Sequence, residues 1–169
     1  MKKMSIFFVM FMSIFYAAGF FILGSGIRSL NQAMSAKNWS TTSGTIQDVH
    51  FVTDNDSEGT TYRVDVKYSY EVKGARYEGS NLSFGYSASS GRAAHYEIYE
   101  KLKPAKKVEV RFDPAKPSQS TLTYGANRSH FMMLAFGTTW LLFTIGFTVI
   151  FFFFGQNDAT LLNRLVVLE

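Results

Sequence analysis

Tyr62-Arg63-Val64-Asp65-Val66-Lys67-Tyr68-Ser69-Tyr70-Glu71-Val72-Lys73-Gly74-Ala75-Arg76-Tyr77-Glu78-Gly79 is the stretch that decides the fold. Tyr62, Val64, Val66, Tyr68, Tyr70 and Val72 fall on every second residue, and Arg63, Asp65, Lys67, Ser69, Glu71 and Lys73 fill the gaps. A period of two puts the first set on one face of a β-strand and the second on the other. One face is therefore dry and aromatic, the other wet and of mixed charge. Lys73-Gly74 predicts a tight hairpin, with residues 75–83 returning as the next strand.

The same logic extends outward. Gly44–Val52 reads as a strand in which Ile46, Val49, Phe51 and Val52 alternate imperfectly. Between it and Tyr62 lies Asp54-Asn55-Asp56-Ser57-Glu58-Gly59, dense in turn formers. Phe84–Gly91, rich in glycine and serine, reads as a loop. Ser89 or Ser90 suits the cap of a helix from Arg92 to Leu102, with Ala94, Ile98 and Leu102 on one face, Tyr99 nearby, and Pro104 as its stop. Lys107–Phe112 alternates again, Asp113-Pro114 breaks it, and Gln119–Tyr124 supplies a last short strand. The expected core is Val64, Val66, Tyr68, Tyr70, Val72, Val108, Val110 and Phe112.

This polar middle sits between two hydrocarbon ends. Of 17 phenylalanines, only Phe51, Phe84 and Phe112 lie between residues 30 and 130. Ser5–Ile27 and Phe131–Phe154 carry no charge. At about 1.5 Å per residue each is long enough to cross a hydrocarbon layer of about 30 Å. The first run is too long for the apolar core of a cleaved signal and reads as an anchor. The expected organisation is a transmembrane helix in 1–30, a soluble β-domain in 31–128, a second transmembrane helix in 129–155 and a tail in 156–169. On the tail, Leu161, Leu165 and Leu168 share one helical side. The fold class is membrane-anchored and mainly β: two transmembrane helices flanking a small five-stranded antiparallel barrel or sandwich with one short helix.

Two spans put both termini on one side. Lys2, Lys3 and Arg164 flank that side, Arg28 and Arg128 the other, so the positive charges nearly balance. The Lys-Lys start resembles a signal anchor. It places both termini in the cytoplasm and the β-domain outside a bacterial inner membrane; a cytoplasmic domain hung on a hairpin is the competing reading. Uncharged spans argue against a transporter or channel acting alone. Gly19, Gly24, Ala135 and Gly137 would let helices approach closely.

The net charge of +4 is mild, and residues 28–128 hold 14 basic against 11 acidic residues with no basic stripe, so no nucleic-acid partner is expected. The absence of cysteine excludes disulfides and thiolate chemistry. Asp54-x-Asp56-x-Glu58-Gly59, with Asp65 at the twelfth position, matches the spacing of a calcium loop. Its flanks read as strands, however, and Asp65 is a short acid where a glutamate is usual. A soluble acidic hairpin loop is the preferred reading, and no cofactor is expected. Gly85-Tyr86-Ser87-Ala88-Ser89 lacks the last glycine of a nucleophile elbow, and His50, His95 and His130 occupy no recognisable base position. Lys101, Lys103, Lys106 and Lys107 around Pro104 read as a solvated turn, with anionic lipid headgroups as an alternative contact. Arg63, Lys67 and Glu71 on the wet strand face, with Tyr86 and Arg92 near the second loop, are the candidate partner-binding residues.

Trp39, Gly44, Ile46, the Tyr/Val strand, Gly74, Tyr77 and Gly79 are followed by Val108-x-Val110-x-Phe112-Asp113-Pro114-x-x-Pro117-x-x-Ser120-x-Leu122. In that order, over residues 39–125, they resemble the bacterial membrane proteins grouped as domain of unknown function 3592. Phe112 stands where that family more often has tyrosine, and Pro104-Ala105-Lys106 where it has a glycine. The resemblance implies a membrane protein with a compact β-domain and brings no catalytic residues. The expected function is a non-enzymatic binding module of the bacterial envelope that meets another membrane or periplasmic protein. An immunity-type protein neutralising a toxin is the alternative, and an enzyme a third.

Overall fold

The computed structural model describes residues 6–154, 164 and 166. The expectations resting on Lys2, Lys3, Leu161, Leu165 and Leu168 lie outside the described residues. The described chain divides into two compact units: Gly26–Phe131, and an apolar helix pair formed by residues 6–25 and 132–154.

In the first unit five strands form one antiparallel sheet: β1 (Ser40–Asp56), β2 (Gly59–Val72), β3 (Ala75–Gly79), β4 (Lys107–Asp113) and β5 (Lys116–Thr121), in the order β3-β2-β1-β4-β5. Lys73 and Gly74 both take positive φ, which closes the β2–β3 hairpin in two residues. β1 runs well beyond the expected Gly44–Val52. The imperfect alternation in it has a specific cause: the ladder to β2 shifts between Ile46 and Asp48. One extra residue there reverses the phase. Ile46, Val49 and Phe51 thus lie opposite Tyr68, Val66 and Val64, all on the dry face, while Val52 opposes Arg63 on the wet one.

The core forms as the period predicts. Val64, Val66, Tyr68, Tyr70, Val72, Val110 and Phe112 are buried, and Val108 packs against them. Tyrosines deep in a core must satisfy their hydroxyls. Tyr68 Oη donates to the Asn81 carbonyl at 3.1 Å and lies 3.1 Å from Ser120 Oγ; Tyr70 Oη donates to the Pro117 carbonyl at 2.6 Å. Burial pushes the Tyr68 hydroxyl up to about 12. Gly79 explains itself here, because a Cβ on it would collide with the Tyr68 ring and lie 2.6 Å from Ser120 Oγ. Gly44 likewise sits under Val110.

A barrel or a sandwich was the expectation, and the structure corrects it. The described residues form one open sheet. Its edge strands β3 and β5 come close to each other but form no ladder with one another. Two main-chain bonds, Leu122 N to Asn81 O at 3.2 Å and Thr123 N to Leu82 O at 3.0 Å, join the segments that follow them. β5 also begins earlier than expected, directly after the Pro114-Ala115 turn.

The dry face is covered by α2 (Arg92–Leu102), with Ile98 and Leu102 against the core. Its buried first-turn residue is His95, not the expected Ala94, which is exposed. The two long helices are α1 (Ile6–Ser35) and α3 (Arg128–Phe154). Both are long and apolar enough to cross a membrane. α1 continues past Ile27, where the sequence turns polar, and Ala33 is fully buried in the first unit, its carbonyl accepting from Gly125 N at 2.8 Å. Trp39 stacks edge-on to Phe84 at 5.5 Å. In the helix pair, Phe8 stacks on Phe151 at 4.1 Å and Trp140 Nε1 donates to the Phe15 carbonyl at 2.9 Å. Gly19 and Gly137 fit closely against the opposing helix, as their size suggests; a Cβ on Gly24 would meet nothing within 4 Å.

Candidate functional site

The loop from Phe84 to Gly91 and the start of α2 gather polar and aromatic side chains beside the β1–β2 hairpin. The loop is pinned to β2 by its main chain: Tyr62 N donates to Ser89 O at 2.8 Å and Ser89 N to Tyr62 O at 3.1 Å. Tyr86 turns inward beneath this bridge. Its hydroxyl accepts from Val64 N at 2.9 Å and lies 2.7 Å from His95 Nδ1. His95 Nε2 lies 2.8 Å from Ser89 Oγ. The expected serine cap is therefore absent: Gly91 is the N-cap residue and Ser89 Oγ is spent on His95.

A serine hydroxyl against an imidazole invites an enzymatic reading. The hydrogen bonds of the trio assign its protons as follows. Tyr86 Oη already accepts from Val64, so donating its own proton to His95 Nδ1 satisfies it fully. His95 then carries its proton on Nε2 and donates to Ser89. In that tautomer the imidazole has no free lone pair for the serine proton and cannot act as its base. The reverse tautomer would leave the half-buried Tyr86 proton without a partner, whereas the proton of exposed Ser89 can reach water. Burial lowers the His95 pKa and raises that of Tyr86, favouring the neutral pair. The trio reads as a clasp holding loop, helix and strand together.

Outside the clasp lies an aromatic patch. Phe51 packs on Tyr62 at 5.8 Å, on Tyr96 at 5.6 Å and on Tyr99 at 5.8 Å. The Arg92 guanidinium lies over Tyr96 at 5.3 Å and Phe51 at 5.9 Å. Arg92 and Tyr96 are exposed; Phe51, Tyr62 and Tyr99 are half-buried. A cation over ring faces is a weak interaction at an exposed site, on the order of 0.5–1 kcal/mol. It orders the guanidinium without satisfying its donors.

The residues singled out from sequence are split between two faces. Arg63, Lys67 and Glu71 lie on the wet face of β2, where Arg63 is held by Asp65 at 2.9 Å; that bond raises the arginine pKa. Tyr86 and Arg92 lie on the α2 side, and only Arg92 is free to meet a partner. The calcium-loop acids are not brought together. Asp54 and Asp56 belong to β1, and the turn shrinks to Ser57-Glu58. Asp56 Oδ1 accepts from Glu58 N at 2.8 Å and Gly59 N at 3.0 Å, while Asp65 is engaged with Arg63. Among the described residues no three His, Asp or Glu side chains converge as a metal set. Of the lysine cluster, Lys103 lies over the Tyr99 ring at 5.2 Å.

His95, Phe51, Tyr96 and Tyr99 are not among the partner-binding residues expected from the sequence. A signal was present, since Arg92, Tyr96 and Tyr99 follow helical i, i+4 and i+7 spacing and form one helix edge. Phe51 was hidden by the bulge. A second buried histidine, His130, accepts at Nδ1 from Asn127 N at 3.1 Å and meets Ser29 Oγ at 3.3 Å. Gly85, at φ +68, leaves room for its ring.

A comparison with curated proteins gives no match. The family model described as domain of unknown function, DUF3592, matches residues 42–127, which is the sheet with α2 and half of the chain. The chain belongs to that family.

Proposed function

We propose that this protein is a membrane-tethered, non-enzymatic binding module whose contact surface centres on Arg92 and Tyr96. The observation that carries the reading is an exposed arginine and tyrosine set on a rigid aromatic base. Arginine and tyrosine dominate the energetics of protein interfaces because they offer large contact area with a polar handle. The clasp beneath them keeps the helix edge in place without supplying a base for chemistry. α1 and α3 serve as membrane anchors in this reading, with both termini in the cytoplasm and the domain displayed outside a bacterial inner membrane. The partner is another membrane or periplasmic protein.

The test is crosslinking capture from intact membranes with a photoreactive residue at position 96. One stoichiometric partner, lost on Arg92→Ala, supports the reading; a toxin in that position converts it to the immunity-type variant. Labelling that does not depend on Arg92 overturns it. Turnover of a substrate that disappears on Ser89→Ala would sink the non-enzymatic assignment. A reporter fused after residue 125 that is active only in the cytoplasm would reverse the topology.

A further inference from the structure

β1 and β2 form a hairpin that outreaches its neighbours. β4 pairs with β1 only over Ser40–Thr45, and Ile46 N still donates to Lys106 O at 3.0 Å. From Gln47 to Asp56 the outer edge of β1 has no main-chain partner among the described residues. Alternate residues of an antiparallel strand point their N–H and C=O groups away from the paired strand. A ladder's length of donors and acceptors is therefore open.

The other edge of the hairpin is treated differently. Beyond the reach of β3, which pairs with Tyr68–Val72, β2 is covered by the loop at Tyr62 and by the Tyr86 hydroxyl at Val64. An uncovered edge of this length is a template for an added strand.

Charge says which strand. The wet-face row along the open edge is Asp48, His50, Val52, Asp54 and Asp56, with Glu58 at the turn. Of the basic residues of the next row, Arg63 binds Asp65, and Lys67 lies opposite Asp48 in the register without an ion pair to it among the described residues. Asp48 meets His50 at 2.7 Å, whereas Asp54 and Glu58 have no ion-pair partner among the described residues. A second copy of this chain pairing edge to edge would set acids against acids, which is unfavourable.

We propose that the open edge of β1, from Asp48 to Asp56, accepts an extended segment of a partner protein carrying lysine or arginine on alternate residues. This rests on the binding-module reading and adds a second contact beside the Arg92–Tyr96 edge. Main-chain bonds supply the pairing, and the acidic row selects the sequence.

The test uses the full chain in a neutral detergent and a capped octapeptide alternating lysine with threonine or valine. Its controls are the glutamate counterpart and a version with alternate amides N-methylated. The lysine peptide is expected to bind about tenfold tighter than the glutamate one, the size that three charged cross-strand pairs supply together. Hydrogen exchange should slow at residues 47–56, N-methylation should abolish binding, and Asp54→Lys, at an exposed side chain, should weaken it. Equal binding of the N-methylated peptide, no preference over glutamate, or protection elsewhere overturns the strand-addition proposal. Protection of residues 47–56 that grows with protein concentration without peptide would assign the edge to a second copy instead. Crosslinking at position 96 that still depends on Arg92 would leave the binding-module reading standing in either case.

Discussion

The base and the tip of the β1–β2 hairpin obey different rules although one pair of strands makes both. At the base, beside Gly44, the Tyr68 and Tyr70 side chains are buried and both their hydroxyls are bonded. At the tip, from Val52 to Tyr62, side chains are exposed or half-buried and one main-chain edge has no partner among the described residues. The base has no room to vary, because interiors pack at crystal-like density and an unpaired buried polar group is costly. The tip has no such constraint, so its composition is free to serve recognition. Function is therefore sought where packing is not decisive.

Mutations can break that contrast, starting at the base. Tyr68→Ala removes a fully enclosed ring and should cost about 3–5 kcal/mol, as large-to-small core changes do. Near-UV circular dichroism of the full chain through denaturant unfolding would measure it, and a loss below about 1 kcal/mol would show that the core lies elsewhere. Gly79→Ala drives a methyl into Tyr68 and Ser120 and should cost about 1–3 kcal/mol by overpacking. Pairing it with Tyr68→Phe, which leaves the ring in place, should not relieve the loss.

Intermediate effects are expected where the clasp joins base to tip. Tyr86→Phe leaves Val64 N–H and one His95 nitrogen unpaired, at a cost of about 1–3 kcal/mol. His95 adds a pH dependence of known sign. Its folded pKa lies below the usual 6.5, so the unfolded chain takes up the proton first as pH falls. The stabilisation is complete above about pH 6.5 and is lost as pH falls from there through the lower folded pKa. Comparing unfolding at pH 7.5 and 5.5 with that of His95→Gln would show a smaller pH slope in the variant. The smallest effect belongs to the tip: Asp54→Ala should change stability by no more than about 0.5 kcal/mol. A larger loss there would mean that the tip is structural after all.

Much of the base was legible in the sequence. The two-residue period from Tyr62 to Val72 is unambiguous because its face is uninterrupted, and Lys73-Gly74 is a turn by local chemistry alone. The two apolar spans follow equally from composition, although α1 runs on past Ile27 to Ser35. Legibility failed where two distant segments had to be combined. The bulge at Gln47 cannot be seen without β2 beside it, so Phe51 lost its place on the dry face. Helical spacing picks Ala94 for the buried side of α2, yet His95 is the buried residue, because the hydroxyls of Tyr86 and Ser89, from a loop the helix packs against, meet both its nitrogens. The acids of Asp54–Gly59 suggested a loop, but Asp56 caps its own turn so tightly that the strands continue to within two residues of each other.

Local periodicity and composition determined that this chain has an alternating β-core bracketed by two long apolar helices, because burial of every second residue and the absence of charge are properties of single segments. Tertiary structure alone decided that the sheet stays open, that Tyr86, Ser89 and His95 lock one edge of the hairpin, and that the other has no partner among the described residues. Those outcomes depend on which strand ends first and which loop reaches it. That is a matter of relative length and register between segments far apart in the chain, and no single segment carries it.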